Sequence, residues 1–156
     1  MDRRGVSEAE PLGSRVGLVV VDHGSTKQEA NRWHEEFVRG WGDVAGYCAV
    51  EPAHMELAEP SIGDAFDACA AADCEVIVVA PYFLWPGRHW SDDIPALAAA
   101  AAARHPEVTY LVAAPLGPHP QLRDVVDERV RHCLAHASGR GPSCEMCVGS
   151  AGCHLS

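Results

Sequence analysis

Two histidines and a glutamate stand at equal intervals in this chain. His23 and Glu56 are 33 residues apart, and Glu56 and His89 are again 33 apart. Two imidazoles and a carboxylate make a donor set that suits a borderline divalent ion such as ferrous iron or cobalt. Neutral imidazoles can also accept protons, so the same set could hold a metal or take protons from a substrate. A lone histidine in a loop is usually a surface group, and Glu56 alone could be solvated or could cap a helix. The functional reading rests on all three reaching one place.

A second signal surrounds His89. Residues 81 to 91 read Pro-Tyr-Phe-Leu-Trp-Pro-Gly-Arg-His-Trp-Ser. A connection needs turn residues; it does not need Tyr82, Phe83, Trp85 and Trp90. So much flat apolar side chain suggests a wall for a large flat ligand, although an apolar patch between subunits would look the same. Arg88 adds a cation. A third signal closes the chain, Cys144-x-x-Cys147-x5-Cys153. Three thiols on a short Gly-rich segment can converge on one metal or cluster. Zinc and iron–sulfur sites usually take four protein ligands, and the fourth could be Cys133, His154 or a cysteine of a second subunit. The alternative is a reduced tail without metal.

The elements that must position these groups alternate. Val16 to Val21 is a continuous β-branched run, the mark of a strand buried on both faces. Asp22-His23-Gly24-Ser25-Thr26 then turns into a helix over about 28 to 41, with Trp33, Phe37, Val38 and Trp41 at helical spacing. Tyr47 to about Glu56 reads as a second strand, placed towards a sheet edge by Pro52. Ser61 caps a helix whose inner face is Ile62, Ala65, Phe66 and Cys69. Glu75 to Ala80 is the third strand, and Ser91 is expected to cap the helix after the aromatic loop. Val108 to Ala113 is the fourth strand. Gln121 to about His136 is an amphipathic helix with Leu122, Val125, Val126, Val130 and Cys133 inward.

This β-α-β-α-β-α-β-α order predicts a single α/β domain: a four-stranded, mainly parallel sheet with helices on both faces. Ligands of such sheets gather at the strands' C-terminal ends, where His23, Glu56 and His89 all fall. His119 follows the fourth strand at that edge. His34, His54, His105, His132 and His136 lack such placement and read as surface or structural. The expected divisions are a flexible segment over 1–15, the domain over 16–137, and the cysteine tail over 138–156.

Composition bounds the rest. A hydrophobic fraction of 47% with 22% charged residues is that of a soluble globular protein. A formal net charge of -10 argues against nonspecific nucleic-acid binding. No apolar run is long enough to span a membrane. The first fifteen residues resemble neither a secretory signal nor a transit peptide.

Several stretches are long enough to be compared with a known family. Val21-Asp-His-Gly-Ser25, Glu51-Pro-Ala-His-Met-Glu-Leu-Ala-Glu-Pro-Ser61, Pro81 to Trp90 and Ala114-Pro-Leu-Gly-Pro-His119 resemble the sirohydrochlorin chelatases. These are small class II chelatases of the CbiX/SirB type, and the plant-type ferrochelatase branch is matched into the cysteine tail. The resemblance covers nearly everything from Val16 onward. It implies a lyase that inserts Fe²⁺ into sirohydrochlorin to give sirohaem, in a chelatase-like domain that forms a homodimer. It maps metal-binding histidines onto His23 and His89 and their acidic partner onto Glu56. It implies a tail iron–sulfur cluster, expected to be [2Fe–2S], on Cys144, Cys147 and Cys153. Ser25, Tyr82, Phe83, Trp85 and Arg88 are the residues expected against the substrate. The compartment would be the chloroplast stroma for a plant or alga and otherwise the cytoplasm. Two rivals stand beside this reading: a cobaltochelatase of cobalamin synthesis, and a non-catalytic tetrapyrrole or metal carrier.

Overall fold

In the computed structural model, residues 15–144 and Met146 are described. They fall into two compact units, one running to Leu116 and one beginning at Gly117. The first unit holds a sheet of four parallel strands in the order β2-β1-β3-β4. The strands are β1 (Val16–Asp22), β2 (Ala49–His54), β3 (Val76–Pro81) and β4 (Thr109–Val112). Four helices accompany them: α1 (Gln28–Gly42), α2 (Ile62–Ala71), α3 (Ile94–Ala102) and, in the second unit, α4 (Pro120–Ala137).

The β-branched run of β1 is central and buried from Leu18 to Val21. Its side chains alternate between two cores, as a strand's pleat requires. Val19 and Val21 pack with Phe66, Ile77 and Ile94 on the α2–α3 side. Leu18 and Val20 meet Val38 of α1 on the other. Pro52 does sit on an edge strand. β2 stops at His54, two residues short of the expected end, because the chain folds back there and the His54 N–H donates to the Pro60 carbonyl at 2.8 Å.

Ser61 caps α2 as expected. Its hydroxyl accepts from the Asp64 N–H while the Asp64 carboxylate accepts from the Ser61 N–H, a reciprocal box. Three other expectations need correction. The inner face of α1 is Asn31, His34 and Val38; Trp33, Phe37 and Trp41 remain 47%, 53% and 38% exposed. Ser91 does not start a helix. The chain already coils at a π-helical turn, His89–Asp93, and the Ser91 N–H is taken by the Gly87 carbonyl. The apolar side chains of α4 are not inward, since no residue of that helix is buried. A periodic pattern marks an apolar face without saying what covers it.

Cys69 and Cys74 lie under β1, and Gly17 leaves room for them. A methyl group there would meet Cys74 Sγ at 2.8 Å and Cys69 Cβ at 3.1 Å. Burial pushes both thiols up to about 12, with the nearby Cys48 adding to the rise. Such thiols are poor nucleophiles. Mass spectrometry after brief alkylation at neutral pH should therefore find Cys69 and Cys74 untouched in the native protein and modified once it is denatured.

Candidate metal-handling site at the switch point

The order β2-β1-β3-β4 reverses direction at β1: the chain steps outward to β2, then returns to the other side as β3. Open parallel sheets leave a crevice at such a point, beyond the strands' C-terminal ends. His23 follows β1, Glu56 follows β2 and His89 follows β3, so all three belong to that edge.

The β1 turn is built around Asp22 and Gly24. Asp22 Oδ1 accepts the Gly24 N–H at 2.9 Å. Gly24 has φ +86°, a conformation that strongly favours glycine, and a Cβ there would overlap the Glu56 carbonyl oxygen. The Glu56 N–H in turn donates to the His23 carbonyl at 3.1 Å. This lacing brings His23 Nε2 to 2.9 Å from Glu56 Oε1, with both side chains about half exposed. His23 Nδ1 faces the Gly24 carbonyl at 3.1 Å. Both ring nitrogens thus look at acceptors, and a neutral imidazole can donate to only one of them.

His89 arrives from the third strand on the π-helical turn. Such turns recur at functional sites because they re-aim a side chain. Its Nδ1 lies 2.7 Å from Asp93 Oδ2, and its ring centroid is 5.3 Å from that of His23, edge to face. The expected trio is therefore gathered in one place. As arranged, its members pair with each other and with Asp93. Among the described residues no three His, Cys, Asp or Glu side chains yet surround a common point that would hold a metal. Asp93, which fixes the His89 ring, was not singled out from sequence. Its i,i+4 spacing from His89 on a helical turn was the available signal.

The aromatic loop is not one continuous wall. Phe83 is half-buried and tilts towards His89 at 6.3 Å between centroids. Trp90 turns away to anchor the loop, its indole N–H donating to the Ala113 carbonyl at 3.0 Å. Trp85 and Arg88 are exposed. Tyr82 packs on Phe37, centroids 5.6 Å apart. Together with Trp41, Val20, Ala80 and Leu116 they line an apolar cavity of about 590 Å³ that His23 and His89 do not border. Ser25 serves the start of α1: its N–H donates to Asn31 Oδ1 and its hydroxyl accepts from the Lys27 N–H. His119 caps α4 by accepting from the Gln121 N–H. His105 pairs with Asp67, which holds that carboxyl below its ordinary range. Of the tail cysteines, Cys144 is buried; Cys147 and Cys153 lie outside the described residues.

A parallel α/β unit with a His/Glu/His set at its switch point defines the class, and the chain belongs to the CbiX family, whose profile matches residues 17–133. Among relatives, it is 50% identical over 144 residues to the sirohydrochlorin ferrochelatase, chloroplastic, of Arabidopsis thaliana, covering 92% of this chain and 64% of that protein. It is 28% identical to a sirohydrochlorin cobaltochelatase of Priestia megaterium, covering 73% of this chain and 37% of the relative. The chain thus spans less than two thirds of the length of either. A solved structure of SirB from Bacillus subtilis with Fe³⁺ superposes with a TM-score of 0.68 at 27% identity, over 79% of this chain and 47% of that one.

Proposed function

We propose that this protein is a sirohydrochlorin ferrochelatase, a lyase that inserts Fe²⁺ into sirohydrochlorin and releases two protons as sirohaem forms. The observation that carries the reading is the meeting of His23, Glu56 and His89 at the switch point, in a chain half identical to a plant ferrochelatase. Iron is preferred to cobalt because the cobaltochelatase relative is much the more distant. The ligand types alone would accept either ion.

In this reading His23 and His89 hold the incoming iron, and Glu56 is either its third ligand or the exit for the pyrrole protons. The macrocycle rests against Phe83 and Trp85, with Tyr82 and Ser25 at its margins. Its carboxylates must overcome a protein of net charge -10. Arg88 supplies local positive charge for them, with Lys27 and Arg32 at the start of α1. Mixing the anaerobic protein with sirohydrochlorin and Fe²⁺ tests the function. Sirohaem absorbance should replace that of the free base, faster than in a protein-free control. A carrier would bind the macrocycle and leave it metal-free.

We also assign a homodimer. Val126, Val130 and Leu134 recur every four residues along α4 and are all exposed, a stripe suited to a second copy. The tail is assigned a [2Fe–2S] cluster on Cys144, Cys147 and Cys153, with its fourth ligand open. Insertion itself needs no electron transfer, so the cluster is structural, regulatory or a sensor. Replacing Cys147 with serine should remove visible cluster absorbance and spare most of the chelatase activity; a folded but inactive variant would make the tail catalytic. No described helix is long and apolar enough to cross a membrane. A plant or algal source would place the protein in the chloroplast stroma, as the name of the Arabidopsis relative suggests.

A further inference from the structure

Beneath the exposed His23–Glu56 pair lies a second, buried set of polar groups. His54 ends β2 and stands in register with Asp22, the last residue of β1. Its side chain is fully buried. Its Nδ1 is 2.6 Å from Asp22 Oδ1, the same oxygen that accepts the Gly24 N–H. A carboxylate accepts, so this edge of the imidazole donates. The opposite edge is poorly served. His54 Nε2 is buried and has no hydrogen-bond partner among the described residues, and Glu35 Oε1 is 3.6 Å away. His34, also buried, gives its Nε2 to the Val20 carbonyl at 3.0 Å. Its Nδ1 is 3.8 Å from Asp22 Oδ2.

A position that only filled the core would be better occupied by an apolar side chain, because an unpartnered buried nitrogen costs stability. The histidine's one good contact is with the carboxylate that shapes the Gly24 turn. It also stands at the root of the segment that carries Glu56. The Met55 N–H donates to the Asp22 carbonyl, and the Glu56 N–H to that of His23. We propose that His54 is a positioning residue for the metal site. Its Nδ1–H fixes Asp22, Asp22 fixes the Gly24 turn, and the turn sets His23 against Glu56. This rests on the metal-handling role assigned above to His23, Glu56 and His89. It acts as an outer partner that orients a ligand without touching metal or substrate, a kind of contact whose loss usually lowers metal affinity or activity about 10- to 100-fold.

The test uses the full chain with Co²⁺ alone as a spectroscopic probe, counting only the absorption that His89→Ala abolishes, so that metal on the cysteine tail is excluded. His54→Leu removes the donor and keeps an apolar side chain in the core. It should fold with an unchanged or raised Tm, bind Co²⁺ at least ~10-fold more weakly, and raise KM for Fe²⁺ more than it lowers kcat. His54→Asn, which places an amide N–H near the position of Nδ1, should recover most of the affinity. Wild-type Co²⁺ affinity in His54→Leu would overturn the proposal. So would equal weakening in the Leu and Asn variants, since imidazole bulk and not the Nδ1 donor would then matter. If His54→Leu does not fold, Asp22→Ala, which removes the oxygen that accepts from both His54 and Gly24, replaces it, and an unchanged Co²⁺ affinity there overturns the proposal in the same way. If wild type shows no His89-dependent Co²⁺ band and inserts no iron, the metal-site reading itself has failed. If wild type does both and His54→Leu matches it, only the positioning role has failed.

Discussion

His89→Ala should abolish metal insertion and leave the fold intact. The ring is about half exposed on its π-helical turn, and the contact it makes with Asp93 is a surface one. Removing it should therefore change stability by no more than about 0.5 kcal/mol. Its chemical loss is much larger. The site would keep one imidazole and one carboxylate, too few donors to take iron from water. A fall of roughly 10²-fold or more in insertion rate is expected from removing a positioned base alone, with loss of a metal ligand adding to it. Saturating iron should not restore the rate. Thermal melts beside the rate assay check both halves of this expectation, and wild-type turnover at saturating iron would remove His89 from the site.

Gly24→Ala should be worse for the molecule than any single ligand deletion. At φ +86° an alanine is strained in its own backbone, typically by about 1–3 kcal/mol. Its methyl group would also overlap the Glu56 carbonyl and come to 3.2 Å from His54 Cβ. Backbone cannot rotate out of the way as a side chain can. The segment bearing Glu56 must move, and the 2.9 Å contact between His23 and Glu56 opens with it. The expected result is a lowered Tm together with lost insertion. His89→Ala, by contrast, should lose insertion at an unchanged Tm. An active, fully stable Gly24→Ala protein would mean that the turn does not hold the two residues together.

Much of this architecture was legible in the sequence, for reasons that are local. The β-branched runs of β1 and β3, set with two less apolar strand segments between helical stretches, specify a parallel sheet. Ser61 with Asp64 three residues on is a helix start that needs no tertiary help. Equal spacing placed His23, Glu56 and His89 at one edge because each step crosses one strand and one helix. What could not be read depends on partners distant in the chain. Trp33, Phe37 and Trp41 have helical spacing, yet Asn31 and His34 take the inward face of α1, because the Ser25 backbone and the Val20 carbonyl offer them hydrogen bonds. The Asp22–His54 contact arises from the register of two parallel strands joined by a helix, and which residues stand opposite one another is settled only when the strands pair. Trp90 sits among aromatic neighbours and reads like them, but its indole N–H is committed to Ala113. The early turn at His89–Asp93 hides behind a serine that has every mark of a cap.

The most direct measurement of the central claim is a single-turnover experiment under anaerobic conditions. Protein at the concentration of sirohydrochlorin is mixed with Fe²⁺ in a weakly buffered solution containing a pH indicator, and the macrocycle spectrum is followed with proton release. Wild type should convert the free base to sirohaem with two protons released per macrocycle, at a rate far above the protein-free control, and His89→Ala should leave that spectrum unchanged. Binding of the macrocycle by wild type with no conversion and no proton release would contradict the account and make the protein a carrier.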